Sequence, residues 1–308
     1  MDLESLRLFV DLAETRSFSK TAERSFMSQS AVSQRIRALE QEFGYVLVER
    51  GKGRPGAHFT EAGARLLRGA RDLLARADAL KREMEELAGD VSGTLRVATV
   101  YSIGLHAMTP AISRFLTDYP QVNLHVEYLR TNRIYDALLS GGIDCGIVAS
   151  PRPQAQIEVV PLAEEEMVVI LPPGHPLADL AAVPLSDLEG MPFIAFDHDI
   201  PTRSMTDAAL RERGVTVEVI QEFDNIETIK RVVEIGQGVA LVPEPTVRRE
   251  VRDGTLEARP LADVSLTRPT GVLLRKGRVQ SNALARFLEV LTAELPAPPG
   301  AKGSAATV

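Results

Sequence analysis

The segment SFSKTAERSFMSQSAVSQRIRALEQEFG, residues 17–44, contains the signals for two helices joined by a short turn. Ser17 can cap a first helix that runs to Phe26, and Ser28 can cap a second helix that Gly44 ends. The pattern LESLRLFVDLAE just before it has the apolar spacing of a supporting helix. These signals predict a helix-turn-helix. The buried stripe of the last helix should consist of Val32, Ile36, Leu39 and Phe43.

The outward face of that helix carries hydroxyl groups, amide groups and one arginine. Such groups can enter the major groove of DNA, where Gln can pair with adenine, and Arg with guanine or a phosphate. An ordinary solvated helix face has a similar composition, so the face alone leaves both interpretations open. The helix-turn-helix context favours DNA contact by Ser28, Gln29, Ser30, Ser33, Gln34 and Arg37.

The loop RGKGRPG, residues 50–56, matches the G-x-G-x-x-G pattern of a dinucleotide-binding turn. That turn must leave a buried strand and open a helix, whereas here VLV precedes the glycines and PGAHFT ends the pattern. A plain solvated turn is a second interpretation. The position after a helix-turn-helix favours a third, a basic hairpin loop whose Arg50, Lys52 and Arg54 contact the DNA backbone.

Residues 61–88 form a proline-free helical pattern that Thr60 can cap and that would be about 40 Å long. Leucines recur at every seventh residue, and small or apolar residues lie three positions before each of them, as in the a/d seam of a coiled coil. One amphipathic helix lying on its own domain is the alternative, but such helices usually have a wider apolar stripe. We therefore expect a dimer seam formed by Leu66, Leu73, Leu80 and Leu87.

From Gly93 onward, short apolar strands alternate with helical segments, which predicts mainly parallel sheets covered on both faces. About 200 residues in this pattern favour two α/β lobes over one large sheet. Ligands of open α/β sheets bind beyond the strand ends, where helix N-termini favour anions. The candidate ligand contacts at four strand-to-helix junctions are Tyr101, Ser102, Thr131, Asn132, Thr202, Arg203, Asn225 and Thr228.

Each hydroxyl or amide in that set could instead be a helix cap, which is a routine role of Ser, Thr and Asn. Arg203 differs, because an arginine early in a helix gains nothing from the helix dipole and an anionic partner would explain it. A surface salt bridge explains it equally well. The successive residues 197–199, Asp-His-Asp, cannot all face one metal ion and are interpreted as a polar loop.

The stretch SFSKTAERSFMSQSAVSQRIRALEQEFGYVLVER, followed by FTEAGARLL, resembles the N-terminal domain of LysR-type transcriptional regulators. It departs from that family at YVLVER, where a Phe usually precedes the Glu or Gln, and in its glycine-rich wing. The resemblance implies an α+β multi-domain protein with a winged helix-turn-helix, a linker helix and a two-lobed α/β effector domain of the periplasmic-binding-protein type. The implied divisions are the winged helix-turn-helix at 1–60, the linker helix at 61–90, lobe I at 91–164 and 265–296, lobe II at 165–264, and a flexible tail at 297–308.

The same resemblance implies a dimer through the linker helix, or a tetramer of such dimers, that binds double-stranded promoter DNA and responds to a small metabolite. The position of Arg203 adds the expectation that this metabolite is anionic, and we expect no cofactor. An enzyme or a solute-binding protein built on the two lobes is the alternative. The sequence contains no nucleophile elbow, Walker loop, HExxH motif or Cys/His ligand cluster, and neither alternative accounts for the helix-turn-helix.

Charge and composition agree with a regulator of this kind. The net charge is −7, but the first 60 residues carry nine Lys/Arg against eight Asp/Glu, so the acidity belongs to the C-terminal part. A single cysteine, Cys145, excludes an intrachain disulfide, and its apolar neighbours predict a buried thiol. Because no signal peptide or membrane-spanning pattern is evident, we expect a cytoplasmic protein.

Overall fold

The computed structural model describes residues 1–50, 56–86 and 91–295, which divide into two compact units. The first unit contains the described residues up to Glu86, and the second begins at Val91. The elements of the first unit are α1 (Leu3–Thr15), α2 (Phe18–Arg24), α3 (Gln29–Phe43), β1 (Val48–Arg50), β2 (Ala57–Phe59) and α4 (Glu61–Glu86).

Capping residues set the limits of the helix-turn-helix. Ser17 and Ser28 cap α2 and α3 as predicted, each accepting a hydrogen bond from the backbone N–H three residues further on. Gly44 ends α3 with a left-handed φ of 72°. The prediction that the helix capped by Ser17, α2, runs to Phe26 was wrong. That helix ends at Arg24, because Phe26 adopts a φ of 52° in the turn before α3.

One apolar core joins α1, α2, α3 and the hairpin of β1 and β2. The predicted stripe residues Val32, Ile36 and Leu39 are buried in it. Phe43 was also predicted to be buried, but its side chain is exposed. The last turn of α3 extends past this core, so the apolar stripe is longer than the surface that covers it.

The long helix α4 begins on this core and then extends beyond it. Leu66 is half-buried against the core and Ala70 is fully buried. Leu73 and Leu80 are 45% and 59% exposed, and Leu87 lies outside the described residues. The first part of α4 therefore lies on its own domain, whereas the second part exposes apolar side chains.

The second unit consists of alternating strands and helices. In chain order they are β3 (Gly93–Thr99), α5 (Thr109–Asp118), β4 (Val122–Tyr128), α6 (Thr131–Leu139), β5 (Cys145–Ala149), β6 (Ile157–Leu171), β7 (Pro192–Phe196), α7 (Pro201–Glu212), β8 (Glu218–Phe223), α8 (Ile226–Glu234), β9 (Ala240–Pro243), α9 (Arg248–Asp253), β10 (Glu257–Pro260), β11 (Thr267–Arg275) and α10 (Asn282–Glu294). A short π-helix, Ile103–Ala107, precedes α5. Among the described helices, none combines the length and the hydropathy needed to cross a membrane.

Strand pairing is parallel where helices connect the strands: β3 pairs with β4 and β5, and β7 pairs with β8. β11 lies antiparallel to β5 and β6, and β6 lies antiparallel to β9 and β10. The prediction of mainly parallel sheets was therefore wrong. β6 and β11 run in opposite directions because the chain enters one lobe along β6 and returns along β11.

Two groups of apolar clusters form two lobes within this unit. Lobe I draws on residues between 91 and 162 and between 272 and 295, and lobe II on residues between 167 and 266. The strand β6 supplies Leu162 to the first group and Met167 to the second. The paired strands β6 and β11 therefore connect the lobes, and the cavity described below lies beside them.

Candidate DNA-contacting helix and ligand cavity

The predicted DNA contacts lie on the face of α3 that points away from the core. Ser33 is half-buried and the others are exposed: Ser28, Gln29, Ser30, Gln34 and Arg37. Ser28 Oγ caps the helix and lies 2.9 Å from Ser30 Oγ, so these two hydroxyls are engaged with each other. The side chains of Gln34 and Arg37 make no hydrogen bond or ion pair with any described residue, which leaves them available to a partner.

Two arginines on α3 have different surroundings. Arg35 Nη1 lies 2.8 Å from Glu4 Oε2 and 3.9 Å from Asp2 Oδ1, so this guanidinium is paired with the start of α1. Arg37 is two residues further along and therefore lies on nearly the opposite side of the helix, where it is exposed. The arrangement directs one cation inward to hold the domain together and leaves the other on the outer face.

The hairpin of β1 and β2 has the position of a wing. Arg50 pairs with Ala57 in the hairpin register. The N–H of Ala57 donates to the carbonyl oxygen of Arg16 at 2.8 Å, which attaches the hairpin to the end of α1. The side chain of Arg50 lies outside the described part of the structure, as do Lys52 and Arg54.

A cavity of about 390 Å³ lies between the two lobes at the strand-to-helix junctions. The predicted ligand contacts that line it are Tyr101, Ser102, Thr131, Asn132 and Thr202. Arg203, Asn225 and Thr228 do not line it. Asn225 Oδ1 accepts from the Glu227 N–H at 2.9 Å and so caps α8, and Thr228 is half-buried in the first turn of that helix.

Arg203 has partners within its own lobe. Its Nε donates to Asp207 Oδ1 at 2.8 Å, and its Nη1 donates to Glu222 Oε1 at 2.7 Å and to the carbonyl oxygen of Phe196 at 2.8 Å. Burial lowers the pKa of Arg203, but the hydrogen bonds to Glu222 and Asp207 outweigh this and raise it. The structure therefore agrees with the salt-bridge interpretation of this residue.

The cavity contains a buried arginine that sequence reasoning missed. Arg268, on β11, is 1% exposed, and its Nε donates to Glu165 Oε2 at 2.9 Å. Its Nη1 lies 3.1 Å from Ser102 Oγ in lobe I and 3.4 Å from Thr202 Oγ1 in lobe II. The available signal was a run of three glutamates just before the apolar run MVVIL and a single arginine just before the run PTGVLL.

A second arginine joins the lobes beside the same cavity. Arg130, between β4 and α6, donates to three carboxylates of lobe II: Asp224 at 2.6 Å, Asp197 at 2.9 Å and Asp199 at 3.0 Å. The hydrogen bond to Asp224 raises the pKa of Arg130. Asp197 and Asp199 belong to the segment interpreted as a polar loop. The structure adds that the loop takes part in a contact between the lobes.

A third contact between the lobes involves the π-helix. His106 Nε2 lies 2.7 Å from Glu227 Oε1, which also lies 3.0 Å from Lys230 Nζ. Lys230 is buried and donates to Glu250 Oε1 at 2.8 Å and to the carbonyl oxygen of Thr246 at 2.9 Å. Burial raises the pKa of Glu227, but hydrogen bonds from His106 and Lys230 outweigh this and lower it.

Two features of the cavity wall favour an anion. Arg152 lines the cavity with an exposed guanidinium, and no described residue forms a hydrogen bond or ion pair with it. α7 begins at the wall with Pro201 and Thr202, and no side chain caps its N-terminus. Helix N-termini carry unsatisfied N–H groups and a partial positive charge. Within the described residues, no group of His, Cys, Asp or Glu could hold a metal ion.

Comparison with protein families covers both units. The model of the bacterial regulatory helix-turn-helix protein, lysR family, matches residues 3–64, and that of the LysR substrate binding domain matches residues 88–296. A probable RuBisCO transcriptional regulator from Cyanophora paradoxa is 31% identical over 93% of this chain and 90% of that protein. A protein of the same name from Synechocystis sp. is 30% identical over 94% of this chain and 85% of that protein.

Solved structures have the same fold. A full-length OxyR variant from Pseudomonas aeruginosa is 26% identical, with a TM-score of 0.73 over 96% of this chain and 94% of that one. CbnR, solved with its target DNA, is 21% identical and superposes with a TM-score of 0.70 over 96% of this chain and 100% of that one. Together with the family models, these likenesses identify the chain as a member of the LysR family, a DNA-binding transcriptional regulator with an effector-binding domain and not an enzyme.

Proposed function

We propose that this regulator reads its operator with the outer face of α3, acts as a dimer joined through α4, and responds to a small oxyanion bound between its lobes. Ligand binding changes the geometry of the lobes and so shifts which arrangement on DNA is favoured. The observation that carries the proposal is the exposed polar face of α3, with Arg37 unpaired among the described residues while Arg35 is bound to α1.

The two arginines of α3 make a matched test of the DNA contact. Replacing Arg37 or Gln29 by Ala should weaken binding to the cognate operator by about 1–3 kcal/mol each and relax sequence preference. The control Arg35→Ala removes the same charge from the inner side of the helix, so it should lower domain stability and leave sequence preference intact. Fluorescence anisotropy on operator and scrambled duplexes measures both quantities. Unchanged operator affinity in both outer-face variants would refute this assignment.

The exposed part of α4 supports the dimer. Leu73 and Leu80 occupy the heptad seam and are exposed in the single chain, an arrangement typical of a helix that pairs with a second copy. Paired α4 helices would carry two α3 helices to half-sites about 34 Å apart, or a multiple of that distance. Assembly of dimers into a tetramer is a further part of the proposal.

Sedimentation velocity tests the seam. Leu73→Asp places an uncompensated charge in it and should convert dimers into monomers. Arg68→Asp reverses a charge at an exposed position on the opposite face of α4 and should leave the mass unchanged. A Leu73→Asp protein that sediments as wild type does would exclude this dimer interface.

The free guanidinium of Arg152 and the uncapped start of α7 support an anionic effector. A thermal-shift screen of anionic metabolites on the full chain should find ligands that raise the melting temperature, because they bind only the folded state. Their affinity should fall by about 10-fold or more in Arg152→Ala, which removes a charge-assisted contact. Arg133→Ala is the control, since Arg133 is an exposed arginine of α6 that does not line the cavity. If anions stabilise both variants equally, the effector does not use this wall.

A further inference from the structure

The ion pair of Arg268 and Glu165 stands where the lobes are joined. The two residues are direct partners in the register of β11 and β6, and they are 1% and 6% exposed. Two nitrogens of the guanidinium, Nε and Nη2, donate to the same oxygen of Glu165. This pair neutralises both charges and leaves Nη1 directed at the cavity wall.

The remaining nitrogen determines the hydrogen-bonding role of two hydroxyls. Nη1 lies 3.1 Å from Ser102 Oγ and 3.4 Å from Thr202 Oγ1. A guanidinium can only donate, so both hydroxyl oxygens act as acceptors towards it. Each hydroxyl keeps one proton to donate, and in the part of the chain that is described neither proton has an acceptor. Ser102 and Thr202 are 7% and 1% exposed, and both line the cavity.

From this arrangement we infer that Arg268 is a positioning residue that turns the hydroxyl protons of Ser102 and Thr202 towards one oxyanion of the effector. The inference rests on the proposed function and specifies the ligand chemistry: a carboxylate or phosphate oxygen that accepts one hydrogen bond from each lobe. Thr202 lies in the uncapped first turn of α7, whose dipole favours the same charge.

The same geometry makes the subsite sensitive to lobe separation. Ser102 belongs to lobe I and Thr202 to lobe II, so one oxygen satisfies both hydroxyls only while the lobes stay close. A hydroxyl that donates to an anionic oxygen forms a charge-assisted hydrogen bond, and one ligand oxygen can accept from both hydroxyls in the closed arrangement alone. The ligand therefore binds the closed arrangement more tightly than the open one, which is the condition for shifting the equilibrium between them.

Isothermal titration calorimetry of the full chain with inorganic phosphate, and separately with acetate, tests the subsite. The stronger of the two probes identifies the oxyanion group. Ser102→Ala and Thr202→Val should each weaken binding by about 10-fold, the loss expected for one hydrogen bond to a charged group. Because both hydroxyls serve one oxygen, the double variant should lose less than the product of the single losses. The same titrations in Arg37→Ala report any phosphate held at the DNA-contacting surface.

To test the role of Arg268, the measurement must give a result that a general loss of structure would not produce. In Arg268→Met/Glu165→Leu both charges are removed together, so neither is left buried and alone. The freed hydroxyl oxygens can then accept, so phosphate should bind about 10-fold more weakly while methylammonium binds more strongly. Equal weakening of both probes would mean that Arg268 only supports the structure.

The outcomes separate this inference from the proposed function. Phosphate or acetate binding that needs Arg152 but is unchanged in Ser102→Ala and Thr202→Val overturns the oxyanion subsite and leaves the anionic effector in place. If neither anion binds the wild-type chain, the subsite and the anionic effector both fail. A loss in the hydroxyl variants together with the reversed preference of the charge-free variant supports the inference.

Discussion

Two arginines connect the lobes of the effector domain, and their surroundings are opposite. Arg268 is 1% exposed and is shared between Glu165, on the neighbouring strand, and two hydroxyls of the cavity. The side chain of Arg130 is 45% exposed and is held by three aspartates from loops of lobe II. Both guanidiniums are bound to carboxylates, but only those of Arg130 lie across the lobes, whereas Arg268 reaches the two lobes through its hydroxyl contacts. The main difference in their surroundings is access to water.

Access to water decides what each contact can do. Separating a buried pair leaves a charge in a low-dielectric environment, which costs several kcal/mol, so the Arg268 pair should persist in every state of the folded domain. An exposed guanidinium exchanges carboxylates for water at little cost, and salt screens the attraction. The Arg130 cluster is therefore suited to opening and closing, whereas Arg268 is suited to holding a fixed geometry.

The largest expected effect comes from removing one member of the buried pair. Arg268→Met leaves Glu165 buried without its partner and should lower the free energy of unfolding by about 3–5 kcal/mol. Urea denaturation followed by circular dichroism measures the loss. The double change Arg268→Met/Glu165→Leu should recover most of it, because no uncompensated charge is left. If the single variant is as stable as wild type, burial does not distinguish the two arginines.

Sequence reasoning identified the features that depend on neighbours along the chain. Ser17, Ser28 and Gly44 cap their helices through contacts within four residues, and such signals can be recognised in the sequence. The junction residues Ser102 and Thr202 were found because strands followed by helices bring their ends to one edge of a sheet. Phe43 shows the limit of periodicity, which predicts the stripe of a helix but not how far the core extends beneath it.

The features that sequence reasoning missed depend on residues far apart in the chain. Arg268 and Glu165 are 103 residues apart, and only the antiparallel pairing of β6 and β11 brings them together. Arg130 meets aspartates that lie 67 to 94 residues further on. For Arg203 the pattern left an anionic ligand and a salt bridge equally open, because nothing local indicated that Glu222 lies on the adjacent strand β8.

The exposed arginine should have a smaller effect that depends on salt. Arg130→Ala removes the three ion pairs to lobe II, so the closed arrangement of the lobes should become less stable relative to the open one. Effector affinity should therefore fall by no more than about 5-fold. Titrating wild type and variant with the same anion at low and high NaCl measures this. The difference between them should shrink as salt is raised, since screening weakens the contact in the wild type. A difference that is independent of salt would contradict the contrast with Arg268.

The smallest expected effect concerns the third cross-lobe contact, in which His106 and Lys230 lower the pKa of Glu227 from its ordinary value of 4.5. A carboxylate whose pKa is lower in the folded state contributes stability above its unfolded pKa and loses that contribution as pH falls through the folded value. Wild type should therefore be more stable than Glu227→Gln near neutral pH, and this advantage should decline below about pH 4.5. Urea denaturation of both proteins across this range measures it, with Glu212→Gln, a change at an exposed glutamate of α7, as the control. An advantage that persists unchanged at the acidic end would mean that the charge of Glu227 contributes nothing, and the contact would then join the lobes by packing alone.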